Sequence, residues 1–451
     1  MFGESIKNEE HIREPILILG LIFILIVRDI FGISINKFII TGFITVMMIN
    51  ASIPSIIAML SFCFPLFCGL PGKYIIVIAF VLLLWKGKFS INIHQIVCFF
   101  FIVLMEFIAS IWYQSPDWLE IIGYMLFAML LYWMLWTEEA LDHKQCLKYY
   151  LLGDAVLCCI IIAAGIKTAP SNWIRFFSAG SFRFGDTQID EVGNGMSLFL
   201  NPNGLAYYSL TGIAISFVLL EDQYDRHKIM YAGMLVICAI AGFLTQSRSW
   251  FLCVIILFAI YTVGKMSSLK RSVYHIICIS ILAYGAFLYF SEHPELLQGL
   301  ITRFTGADMI SADGRTSLFQ QYMDAFTNNQ RFQIMGTGVM QYRFITGVKQ
   351  NSMHNSTQQL LVCYGVPGFI FVLYHLFAPI RRVTRRCRLN IIYWLPLLSV
   401  VLFTQTIQFI QPYIYMPPFG ISAFALIVGR ETSKTQYGSG ISAIVEEEKT
   451  K

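Results

Sequence analysis

The chain has 451 residues, 57% of them hydrophobic and only 13% charged, with a formal net charge of +5. An ordinary soluble domain carries roughly 25% charged residues, so this composition excludes a water-soluble fold. Apolar runs of 15 to 24 residues recur along the chain, each long enough to cross most or all of a ~30 Å hydrocarbon core as a helix.

The runs are continuously apolar rather than alternating, and a helix satisfies its own backbone in lipid. The predicted fold class is therefore all-α, a polytopic transmembrane helical bundle of about 12–14 spans with a large, partly helical extracytoplasmic loop. Glu4, Lys7, Glu9, Glu10, Arg13 and Glu14 precede the first run, so no removable signal peptide is expected. In chain order the spans are predicted at 16–34, 36–51, 53–69, 73–87, 93–112, 118–136, 147–166, 197–220, 229–245, 249–264, 272–290, 356–377, 389–408 and 412–429. The second and third read either as two helices or as one helix broken around residues 50–54. Arg28 and Asp29 read as an ion pair near a span end.

The short loops holding Lys86 and Lys88, Lys265 with Lys270 and Arg271, and Arg381, Arg382, Arg385, Arg386 and Arg388 are cytoplasmic by the positive-inside rule. They are topology signals, and no nucleic-acid partner is expected. Both termini are then cytoplasmic, and the polar segments 167–196 and 291–355 lie outside. Eight of the eleven cysteines (Cys63, Cys98, Cys158, Cys159, Cys238, Cys253, Cys278 and Cys363) fall in apolar runs, which reads as buried thiols without a disulfide framework or metal spacing. In the longer loop a helix capped by Ser311 or Asp313 would carry Leu318, Phe319, Tyr322 and Phe326 on one stripe. Arg315 shares that stripe, so it is expected to point into the membrane domain. No internal repeat relates the two halves, which weakens an inverted-repeat transporter reading.

Several residues are candidates for chemistry. Thr245 to Ser249 form a hairpin so short that Arg248 must sit at the outer boundary between two helices. Two readings are open for it, snorkelling to headgroups or a functional charge at a cavity. His354 and Gln358 share a helix face at i, i+4, and the histidine reads either as structural or as an acid–base group. Asn201, Pro202, Asn203 and Gly204 open a long helix after Arg175 and Arg183, for which capping is explanation enough. Gln405, Gln408 and Gln411 either line a polar cavity or bond between helices. There is no GxxxxGK[ST] loop, Gly336-Thr-Gly is too little for a dinucleotide site, and no Asp-x-Asp pair or metal-ligand spacing occurs. Chemistry that needs charge neutralisation would have to use arginine.

Taken in order, Thr245-Gln-Ser-Arg-Ser, Asp313-Gly-Arg-Thr-Ser, Gly336-Thr-Gly, His354-Asn-Ser-Thr-Gln-Gln-Leu-Leu and Tyr364-Gly-Val-Pro-Gly resemble the O-antigen ligase and polymerase superfamily, across roughly residues 200–380. The resemblance implies residues 1–52 as an extra helical pair, a membrane domain over 53–430 and a cytoplasmic polar tail over 431–451. It also implies a bacterial multi-pass protein of the cytoplasmic (inner) membrane whose active site faces outward. The implied activity is transfer of undecaprenyl-pyrophosphate-linked oligosaccharides without cofactor or metal, with membrane lipid, a chain-length regulator and a flippase as expected partners. By the family pattern Arg248 and Arg315 match arginines that stabilise the departing pyrophosphate, and His354 matches the histidine expected to act as base or positioning group. Arg183, Asn203, Asn355 and Gln358 are expected sugar or phosphate contacts. Polymerisation of repeat units is the preferred reading. A ligase moving finished chains to a lipid or protein acceptor is the alternative, and a flippase or transporter, which would carry charges deep in several helices, is the second.

Overall fold

The computed structural model of the protein describes residues 16, 18–33, 35–66, 70–86, 93–113, 141–168, 184, 202–221, 225–265, 284–285, 288, 291–292, 312–339, 342–348, 353–385, 389–407 and 418–433. Among these residues there are helices and turns and no strand, as expected from the continuous apolar runs. The predicted spans 118–136 and most of 272–290 lie outside the described residues.

The helices follow one another as α1 (18–30, closing in a π-helical turn at Ile26–Ile30), α2 (Lys37–Asn50), α3 (Ile53–Leu66), α4 (Leu70–Lys86) and α5 (Ile93–Trp112). Then come α6 (His143–Thr168), α7 (Pro202–Glu221), α8 (Lys228–Leu244), α9 (Arg248–Lys265), α10 (Ala312–Thr327), α11 (Gln330–Met335) and the single turn α12 (Tyr342–Ile345). The chain closes with α13 (Ser356–Thr384), α14 (Leu395–Thr404, entered through a 3₁₀ turn at Ile391–Trp394) and α15 (418–433). The 36–51 and 53–69 runs are two helices, separated by an extended Ala51. Four described helices, α6, α7, α9 and α13, are long and apolar enough to cross a membrane, and shorter apolar helices accompany them.

The bundle is organised around α7. Seventeen of its residues are buried, as a helix that is apolar all round requires, and α6, α8, α9 and α14 pack on it. Small residues permit this approach where no water-driven force pulls the helices together. A Cβ on Gly212 of α7 would lie 2.8 Å from Cys238 Sγ, and one on Gly242 of α8 would lie 2.1 Å from the Trp250 ring of α9. Trp250 Nε1 donates to Ser209 Oγ of α7 at 2.9 Å, locking the three helices together.

The reading of the apolar-run cysteines as buried needs one correction, and the spans also hold charges. Acidic side chains do occur deep in predicted spans: Glu106 of α5 and Asp154 of α6 are both buried, while Arg28 is buried and the Asp29 side chain lies outside the described residues. Cys159 is exposed, unlike its neighbour Cys158, because it falls on the side of α6 turned away from the bundle. The other described cysteines of that reading are free and buried.

The two ends of the bundle differ in character. At one end Asp225, between α7 and α8, is held by Lys148 at 2.6 Å and Lys144 at 3.3 Å, both from α6, and by His227 Nδ1 at 3.0 Å and Tyr231 Oη at 3.1 Å. Burial alone would raise the Asp225 carboxyl. The hydrogen bonds from Lys148, His227 and Lys144 outweigh it and hold the group well below the usual carboxylate range. Glu221 pairs with Lys265 at this same end. The opposite end carries the start of α7, the turn before α9, the end of α14 and the start of α13. Tyr207, near the start of α7, stacks on Phe403, near the end of α14, at 5.7 Å.

Candidate functional site

The α8–α9 turn is as tight as its length predicts. Thr245, Gln246 and Ser247 are buried, and Gln246 takes a left-handed backbone (φ 50), strain of a kind found where surroundings over-determine a residue. Thr245 Oγ1 donates to Gly242 O at 2.6 Å and accepts from Ser247 N at 3.3 Å. Ser247 Oγ donates to Asn203 Oδ1 at 3.3 Å, so Asn203 does more than sit in a helix-opening turn. It ties the start of α7 to the turn from which Arg248, half-buried, opens α9. Pro202 is the first residue of α7, where its missing N–H costs nothing.

The second group gathers at the start of α13. Asn355 caps the helix, its Oδ1 accepting from Gln358 N at 2.9 Å. Gln358 Nε2 donates to Phe319 O of α10 at 2.8 Å, Ser356 Oγ to Ile407 O at 2.8 Å, and Thr357 Oγ1 to Gln405 Oε1 at 2.9 Å. This cap therefore stitches α10 and the end of α14 to α13. Between them lies a cavity of about 370 Å³ lined by Leu318, Phe319, Met353, His354, Asn355, Gln358, Gln405 and Thr406. Gln405 thus does both things its sequence allowed: it lines the cavity and bonds between helices.

The α10 helix begins by Ala312, so Asp313 lies inside it and not at its cap. Leu318, Tyr322 and Phe326 are buried as their spacing predicts, but Phe319 is 43% exposed. It belongs to the cavity and not to the stripe. Arg315 lies on α10 one turn before Phe319, and its side chain lies outside the described residues, as do Arg183, Gln408 and Gln411. Phe184, the neighbour of Arg183, is buried, its N–H donating to Leu244 O at 3.4 Å. The structure thus brings His354, Asn355 and Gln358 to one cavity. Arg248 is not among the described residues that line it, although it opens α9 at the same end of the bundle.

A junction that the sequence did not reveal supports this region from below. Within α13, Gly365 leaves the helical region (φ 67), and Pro367 has no N–H to offer the carbonyl four residues back. The Gly336-Thr-Gly segment enters the break: Thr337 N donates to Val362 O at 3.1 Å and Gly338 N to Cys363 O at 2.9 Å. The next N–H, of Val339, reaches the buried Glu106 carboxylate at 2.8 Å, which Tyr364 also hydrogen-bonds. Arg331 lies 5.6 Å over the Trp112 ring at the end of α5. Four of the five motifs, distant in sequence, therefore take part in two physical joints, one at Asn203–Ser247 and one running from Glu106 through the α13 break to Phe319 of α10. Glu106 had a signal of its own, as the only acid in the 93–112 run, and intramembrane ionisable residues are functional candidates by default.

Helices crossing a membrane and a polar, cavity-bearing end define a multi-pass membrane protein of the all-helical class. Residues 233–373 match the family model for O-antigen ligase, which supports the resemblance of this stretch to the O-antigen ligase and polymerase superfamily. The match takes in Arg248, Arg315, His354, Asn355 and Gln358, and Gly336, Gly338 and Gly365 of the α13 break. No curated protein matches the chain.

Proposed function

We propose that this protein polymerises undecaprenyl-pyrophosphate-linked oligosaccharide repeat units of a surface polysaccharide, an O-antigen, capsule or exopolysaccharide, on the outer face of the bacterial cytoplasmic membrane. The observation that carries this reading is the cavity at the start of α13, lined by His354, Asn355 and Gln358 inside the segment that matches the O-antigen ligase family. The sidedness is supported by charge, since Lys144, Lys148, Lys265, Arg381 and Arg382 gather away from the cavity and such clusters stay cytoplasmic.

In the proposed step a hydroxyl oxygen of the acceptor sugar attacks the anomeric carbon of the donor chain. The bond from that carbon to the pyrophosphate oxygen breaks with inversion, and undecaprenyl pyrophosphate departs with the electron pair. His354 takes the hydroxyl proton as general base or holds the hydroxyl in line. Arg248 and Arg315 meet the charge growing on the leaving group, a role that suits a planar, permanently charged guanidinium. Asn203, Asn355, Gln358 and Arg183 contact sugar or phosphate. The preference for a polymerase over a ligase rests on the lack of any sequence feature marking an acceptor-protein site. Of the buried acids, Glu106 is committed to holding the Val339 backbone.

The test is to delete the gene and separate the cell's surface glycans by size, complementing with wild type, Arg315→Ala and His354→Ala. Single repeat units at the surface, extended again only by wild type, are the expected result. Full-length chains stranded on the lipid carrier would mean a ligase, and unchanged glycans with altered solute uptake would overturn glycosyl transfer.

A further inference from the structure

Phe319 breaks the pattern of its own helix. Its stripe partners Leu318, Tyr322 and Phe326 are buried, yet its ring is 43% exposed and lines the cavity beside His354. Leaving an aromatic ring out of a core forgoes the apolar burial that its neighbours obtain. The ring faces side chains that are neutral and rich in hydrogen-bonding capacity. Asn355 uses only Oδ1 for its cap, and Gln358 uses only Nε2, on Phe319 O. Gln405 is clamped at both amide atoms, Oε1 by Thr357 and Nε2 on Val401 O at 3.1 Å. An amide nitrogen has two donors and its oxygen two lone pairs, so each of these clamped side chains retains a donor or an acceptor. Thr406 Oγ1 donates to Phe403 O at 2.8 Å and keeps its acceptor capacity. No carboxylate is among the described lining residues.

We infer that the cavity is a saccharide subsite in which a neutral sugar ring of the glycan stacks on Phe319 while the amides of Asn355, Gln358 and Gln405 read its hydroxyls. The inference rests on the glycan-transfer reading and adds to it the platform and the specificity residues. A pyranose has one face of weakly positive C–H groups and an equator of hydroxyls. The first complements the negative face of an aromatic ring, and the second complements side chains that both donate and accept. The volume, about 370 Å³, is at the lower end for ligand pockets, which suits a short saccharide. The lining mixes three apolar side chains, Leu318, Phe319 and Met353, with five polar ones, which matches the two-sided character of a sugar ring.

The experiment is saturation-transfer NMR on the full-length protein in nanodiscs, with methyl glycosides of glucose, galactose, mannose, rhamnose and N-acetylglucosamine as probes and farnesyl phosphate as the lipid comparison. At least one glycoside is expected to bind wild type through one ring face. Affinity should fall roughly tenfold in Phe319→Leu, fall less in Gln405→Ala, and survive in Phe319→Trp, since a stacking contact is worth about that much. Phe319→Trp together with unchanged unfolding temperatures separates lost stacking from misfolding. The inference is overturned if no glycoside binds wild type, if Phe319→Leu binds as well as wild type, or if only farnesyl phosphate loses affinity in that variant, which would assign the cavity to the lipid. Glycoside binding with unchanged surface glycans on gene deletion removes the transferase reading and leaves the sugar subsite standing. Shortened surface chains without glycoside binding do the reverse.

Discussion

Replacing Gly365 by alanine tests the joint between the outer-loop segment and α13 directly. Its backbone (φ 67, ψ −179) lies in a region essentially restricted to glycine, at a cost of about 1–3 kcal/mol for any other residue. An added Cβ would stand 2.7 Å from Ile334 O and 2.8 Å from Gln333 O, so α11 must move. The Thr337–Val362 and Gly338–Cys363 hydrogen bonds are then strained as well, at about 0.5–1.5 kcal/mol each. The sum is about 2–6 kcal/mol, expected to lower the apparent Tm in detergent by on the order of 5–10 °C, read by tryptophan fluorescence. Gly233 of α8 is the control. It has nothing within 4 Å of a built Cβ, and alanine there should be neutral or stabilising by about 0.5–1 kcal/mol. If Gly365→Ala unfolds at the wild-type temperature and still restores surface glycans, the proposed joint is wrong.

Three further outcomes follow from particular contacts. Gly242→Ala puts a Cβ 2.1 Å from the Trp250 ring and 2.5 Å from Ser209 Oγ; it should cost about 2–4 kcal/mol, and a double-mutant cycle with Trp250→Phe should show less than the sum. Asp225 is held below its unfolded pKa of about 4, so its contribution is fully present above that pH and fades as pH falls through the folded value. Asp225→Asn should therefore cost about 1–2 kcal/mol at neutral pH, the lysines being partly solvated, and flatten the acid limb of a stability-versus-pH curve below about pH 4. Asn355→Ala removes a helix cap worth about 1 kcal/mol and a cavity donor, whereas Asn355→Asp keeps the cap. Equal glycan lengths in cells complemented with either variant would argue against a cavity role for the Asn355 amide.

Much of the architecture was legible in the sequence, because lipid admits few backbone solutions and hydropathy reports them directly. The α5 helix matches its predicted span, and the α8–α9 turn follows from its short spacing. Local periodicity also placed the α10 stripe, and the ordered motifs pointed to the family segment that includes His354. What a period cannot encode is which member of a stripe meets a neighbour: Phe319 and Leu318 are adjacent and both apolar, and only the packing of α10 against α13 turns one to the cavity and the other to the core. The pairing of Glu106 with Val339, 233 positions apart, and the entry of Gly336-Thr-Gly into the α13 break likewise depend on which helices become neighbours. Sequence alone determined the helices and the polar end on which chemistry could sit. Tertiary structure decided which polar groups hold the backbone and which line the cavity, since that division depends on where the carbonyls freed at Gly365 and Pro367 find their donors.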